Sequence, residues 1–76
     1  MNHREQYVAE KYKQEGWKIL KNGAPDFIML KVENNEITDM MAVEVKSTKD
    51  SLTYEQGVWK MICEKANIPY KVEVVK

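Results

Sequence analysis

A single cysteine, Cys63, rules out an internal disulfide, and without a second thiol there is no thiolate spacing for a structural zinc site. That favours a reducing setting, so a cytoplasmic location is expected. The one histidine, His3, has no second His or Cys at ligand spacing and reads as an exposed residue near the start of the chain. No apolar run approaches the length of a membrane span or a signal-peptide core, so neither a membrane partner nor targeting is expected. A charge surplus is also missing. Twelve Lys and Arg balance twelve Asp and Glu, which speaks against strong nonspecific affinity for a polyanion, although a local field can differ from the net charge.

What remains is a chain with 43% hydrophobic and 32% charged residues in a length of 76. This is a globular composition with no repeat or low-complexity tract. A chain of this size buries only about 60% of its unfolded surface and has room for one core, so residues 1–76 are read as one domain.

Hydrophobic periodicity divides the chain into six elements. From about Asn2 to Glu15 good helix formers place Val8, Ala9 and Tyr12 on one stripe, and Gly16 is positioned to stop the helix. Trp17–Lys21 reads as a short strand, followed by Asn22-Gly23, a pair that favours a tight turn. Phe27–Val32 is an unbroken apolar run expected to form a central strand covered on both faces. Glu33–Glu36 is a turn, and Met40–Lys46 a third strand. Thr53 and Gln56 make a capping box for a helix to Ala66, whose stripe Val58, Met61, Ile62 and Ala66 is apolar. Asn67 and Pro69 end it, and Tyr70, Val72 and Val74 alternate with Lys71 and Glu73 in a last strand. The expected order is αβββαβ: a three-strand meander, then a right-handed helical crossover to a fourth, parallel strand, giving an α/β fold with a mixed four-stranded sheet.

Strand alternation puts Glu44 and Lys46 on one face and Val43 and Val45 on the other. Asp26 opens the second strand directly after Pro25. If the second and third strands pair, Asp26 and Glu44 converge. Two carboxylates at a sheet edge suit a hard divalent cation such as Mg²⁺ or Mn²⁺, and a lysine beside them suits the charge that develops on a phosphate under attack.

Gly23-Ala24-Pro25-Asp26 followed by Ala42-Val43-Glu44-Val45-Lys46 resembles the two halves of the PD-(D/E)XK nuclease motif. Within that superfamily the pattern is most similar to the virus-type replication-repair nuclease (VRR-NUC) domain, in which a loop leads to a helix bearing a glutamine, as in Ser51–Gln56. Archaeal Holliday-junction resolvases look similar at a greater distance. The resemblance covers nearly the whole chain and implies a restriction-endonuclease-like fold and a metal-dependent endonuclease acting on branched or structured DNA in replication, recombination or repair. It implies Asp26, Glu44, Lys46 and Gln56 as the catalytic set. Mg²⁺ or Mn²⁺ would be held by Asp26, Glu44 and the backbone carbonyl of Val45. A virus or phage source is compatible with the likeness.

Glu5 joins the candidates because it shares the helix stripe of Val8, Ala9 and Tyr12, and the resemblance includes a first-helix glutamate. Its rival role is at the positive N-terminal end of the helix dipole. Gln56 likewise has a full structural account as the capping partner of Thr53. A homodimer is expected because so small a core leaves apolar surface uncovered, and because two-fold symmetry would set two sites on the arms of a junction. The rival to the enzyme is a catalytically silent nucleic-acid-binding or scaffolding module, or a small subunit of a larger nuclease assembly.

Overall fold

A computed structural model describes all residues, Met1–Lys76. The order is α1 (His3–Gln14), β1 (Lys18–Lys21), β2 (Phe27–Glu33), β3 (Glu36–Lys46), α2 (Tyr54–Lys65) and β4 (Tyr70–Val74). The strands form one sheet in sequence order, with β1–β2 and β2–β3 antiparallel and β3–β4 parallel. This is the mixed sheet and αβββαβ order expected of a restriction-endonuclease-like core.

Helix α1 starts where Asn2 and Glu5 satisfy each other's backbone N–H in a capping box, and it ends before Gly16, whose φ of 93° suits glycine. Val8, Ala9 and Tyr12 are its buried residues. They meet Phe27, Met29, Met41 and Val43 from the central strands, and Trp17, Ile19, Val45 and Val75 close the margins. Here the period of α1 and the alternation of β2 and β3 coincide.

The sequence reading needs correction at four places. First, β3 begins at Glu36, not Met40, and pairs with β2 out to Glu33, with a register shift at Lys31/Val32. Asn34 and Asn35 take φ values of 51° and 63° to make the tight turn. The first residues of β3 are exposed, because this hairpin end extends past the helices, so no apolar alternation marked them as strand. Second, Asn22-Gly23 is not a two-residue turn. The loop runs from Asn22 to Asp26 and is closed by the Asn22 N–H donating to the Asp26 carbonyl at 2.8 Å, while Pro25 has no N–H to extend the ladder inward. Third, β2 is central but covered unevenly on its two faces: Phe27 and Met29 are buried, whereas Ile28 and Leu30 on the other face are half-buried.

The fourth correction concerns α2. Its apolar stripe does not face the sheet. Met61 and Ile62 are 69% and 49% exposed, and Cys63 is the one buried residue of the helix. The rotational phase of α2 is pinned at both ends. The Thr53–Gln56 box holds its start, and at its close the Ile68 N–H donates to the Cys63 carbonyl before Pro69 accepts from the Ala42 N–H. So short a link to β4 turns Cys63 inward and leaves Tyr54, Val58, Met61 and Ile62 around a shallow outward groove.

The core therefore rests on the α1 face. Phe27→Ala, at a fully buried position, is expected to cost about 3–5 kcal/mol, whereas Ile37→Ala, 60% exposed, stays within about 0.5 kcal/mol. Urea unfolding of both variants checks this.

Candidate active site

Strand β2 starts at Phe27, where it pairs with Val43. The next backbone donor of β3 facing that side, the Val45 N–H, is taken by the Asp26 side chain, whose Oδ2 accepts at 2.9 Å. A carboxylate thus replaces the missing strand and is held at the end of β3.

Glu44 lies between Val43 and Val45 but points to the opposite face from the α1 core. It is only 2% exposed, and its Oε1 is buried with no hydrogen-bond partner. Burial pushes the Glu44 carboxyl up to about 8, and the neighbouring Asp26 carboxylate pushes the same way. Lys46 opposes this, and Glu5 adds a smaller repulsion. The structure thus brings Asp26, Glu44 and Lys46 into one electrostatic neighbourhood, with Glu5 at its edge.

Glu5 is otherwise fully engaged. One oxygen accepts from the Asn2 N–H at 3.1 Å and the other from Lys21 Nζ at 3.0 Å, while the Lys21 ammonium lies over the Phe27 ring. Glu10 on the same helix is exposed. Gln56 is committed to its cap: its Oε1 accepts from the Thr53 N–H at 3.0 Å, and its own N–H donates to Thr53 Oγ1. No hydrogen bond joins it to the carboxylates.

Tyr70 went unnoticed as a polar group in the sequence. It was one of the alternating residues of the last strand, yet its hydroxyl is the other buried side-chain atom without a partner. Burial raises its pKa to about 12, and the Glu44, Cys63 and Asp26 charges act in the same direction. Nothing in the alternation pattern separates such a tyrosine from a packing residue.

Two features bear on whether this donor set suits a divalent cation. A buried, unpartnered carboxylate oxygen costs about 1–3 kcal/mol or more, and two repelling carboxyls are relieved when a cation comes between them. No group of three or more His, Cys, Asp or Glu side chains is placed to hold a metal ion, so a divalent cation here would complete its shell with water and substrate oxygens. The surface concavities lie elsewhere, one between α1 and β4 and the other on α2. Asp26 and Lys46 are half-buried beside the buried Glu44, so solvent reaches the set through those two.

This fold with paired carboxylates and a lysine on adjoining strands defines the PD-(D/E)XK nuclease class. The VRR-NUC domain matches residues 2–76, and the chain belongs to that family. Membership assigns it a nuclease-type function and, with it, a nucleic acid substrate. No curated protein and no solved structure matches the chain. No helix is long and apolar enough to cross a membrane.

The raised Glu44 carboxyl gives a pH signature. Between its ordinary value of 4.5 and about 8 the folded metal-free chain holds a proton that the unfolded chain has released, so stability falls as pH rises through that window. The thermal midpoint of the metal-free protein is expected to drop from pH 5 toward pH 8, and Glu44→Gln to flatten that slope. Mn²⁺ affinity is expected to climb over the same window as the proton is displaced. Calorimetric scans and titrations at several pH values measure both.

Proposed function

We propose that this VRR-NUC domain is a Mg²⁺- or Mn²⁺-dependent deoxyribonuclease, an endonuclease that hydrolyses phosphodiester bonds in branched or structured DNA such as junctions and flaps. The observation that carries this reading is the meeting of Asp26 with a buried Glu44 whose Oε1 has no partner. Asp26, Glu44 and the Val45 carbonyl would hold the cation. In an extended strand the N–H and C=O of one residue point the same way, and the Val45 N–H is aimed at Asp26, which supports the carbonyl as a third donor. When bound, the cation supplies positive charge to activate water and steady a phosphate oxygen.

Lys46 follows Glu44 on the same face of β3 and acts as a fixed ammonium that orients the attacking water and offsets charge developing on the phosphate. Glu5 serves as an accessory carboxylate at the margin of the site, acting through its charge while it caps α1. Gln56 caps with its oxygen and keeps its amide nitrogen for the substrate side.

A DNA partner rests on the nuclease reading rather than on charge: the groove between α1 and β4 lies away from the carboxylates and sets Lys11 and Lys76 against Glu73, with Lys11 paired to it at 3.5 Å. The outward stripe of α2 supports a homodimer, since Tyr54, Val58, Met61 and Ile62 form an apolar patch that a second copy would cover.

Incubation with labelled duplex, single-stranded, flap and four-way-junction DNA, with and without Mn²⁺, tests the activity and ranks the substrates. Asp26→Asn and Glu44→Gln are expected to lower both Mn²⁺ affinity and cleavage, whereas Lys46→Ala lowers turnover about 10²–10³-fold and keeps metal binding. Parental cleavage by both carboxylate variants would remove the assignment. Light scattering is expected to give a dimer mass, and Met61→Asp with Ile62→Asp to give a folded monomer. A monomer mass for the parent with junction cleavage intact would refute the dimer.

A further inference from the structure

Two buried side-chain atoms of the protein have no hydrogen-bond partner, Glu44 Oε1 and the Tyr70 hydroxyl oxygen. One accepts and the other can donate, and the register shows that they belong together. In the parallel pairing of β3 with β4, Ala42 lies beside Tyr70 and Glu44 beside Val72. Side chains two apart on a strand share a face, so Ala42, Glu44, Tyr70 and Val72 all project to the side opposite the α1 core. Tyr70 is therefore the diagonal neighbour of Glu44, with backbones about 7–8 Å apart, a span that a long aromatic side chain can cross. The Glu44 and Asp26 charges both act on its hydroxyl, and so does Cys63 of α2, so the hydroxyl lies under α2 on the carboxylate side of the sheet.

Packing alone gives no reason for that oxygen. A phenylalanine would fill the same space without burying an unpaired polar atom. Tyr12, the buried tyrosine on the other face, differs: its hydroxyl donates to Glu73 and is satisfied within the fold.

We propose that Tyr70 is a positioning residue of the carboxylate site, its hydroxyl donating to Glu44 Oε1 through one buried water and so aiming the Glu44 carboxylate at the cation. This rests on the metal-dependent reading given above. The hydroxyl touches neither substrate nor cation. It acts on Glu44, as outer hydrogen-bond partners of metal-binding carboxylates do. A donor held at Oε1 leaves Oε2 for the cation and fixes the plane of the carboxylate.

Tyr70→Phe removes only the oxygen, and Tyr12→Phe is its control on the other face. Mn²⁺ binding is measured by calorimetry without DNA, and thermal midpoints are taken on the metal-free proteins. Tyr70→Phe is expected to weaken Mn²⁺ binding about 10-fold or more. Tyr12→Phe is expected to lower the midpoint through the loss of its bond to Glu73 while binding Mn²⁺ like the parent. Titration at a temperature where all three proteins are folded keeps the comparison valid if either variant is weakened. Parental Mn²⁺ affinity in Tyr70→Phe overturns the role of Tyr70 and leaves the carboxylate site standing. A parent that binds no Mn²⁺ removes the site and this role together.

Discussion

The bond from the Val45 N–H to the Asp26 carboxylate is the contact on which the working edge of this domain depends. It lies just ahead of the start of β2, takes up a backbone donor of β3 that would otherwise lack a strand partner, and holds Asp26 against Glu44. Without it the Asp26 side chain would be unheld, since the Asn22 N–H fixes only the Asp26 backbone carbonyl. The second carboxyl is then set by burial, since Glu44 sits on the strand that pairs on both sides and has little access to water. One carboxyl is tied by a backbone donor and the other by its strand. In the metal-free fold a proton on Glu44 avoids the repulsion between them, and a cation would take that proton's place.

The parts of this arrangement that were legible in the sequence are those with two consistent local signals. Helix α1 had both a stripe and a stop, and Val8, Ala9 and Tyr12 are buried as their spacing required. Asp26, Glu44 and Lys46 could be grouped because strand alternation and the β2–β3 pairing fix their faces before any contact is known. The start of β3 was not legible, because residues that lie beyond the helices carry no hydrophobic alternation. The facing of α2 was not legible either. Its stripe is a sound amphipathic pattern, but the link through Asn67 to Pro69 and the capping box decide which side meets the sheet. In a domain this small, a connection three or four residues long can override the preference of a helix face.

Gln56 and Glu5 show how one side chain can hold two accounts at once. Each completes a capping box at the start of its helix, which is a sufficient structural reason for both, although the sequence offered that reason for Gln56 alone. Glu5 differs in that its charge also acts on Glu44, whereas Gln56 makes no such contact. Tyr70 is the converse case, since its ring has a structural reason and its hydroxyl has none within the protein.

The Arg4 guanidinium, near the start of α1, donates to the Val75 carbonyl just beyond β4 at 3.2 Å, across 71 residues of sequence. Entry to and exit from the fold are therefore side by side. A unit whose ends meet can be spliced into a surface loop of a host protein without prising the host's chain apart, and the same closeness allows its ends to be joined and new ones opened elsewhere. The exposed Asn34-Asn35 turn, at the far end of the β2–β3 hairpin, is the natural place to open them.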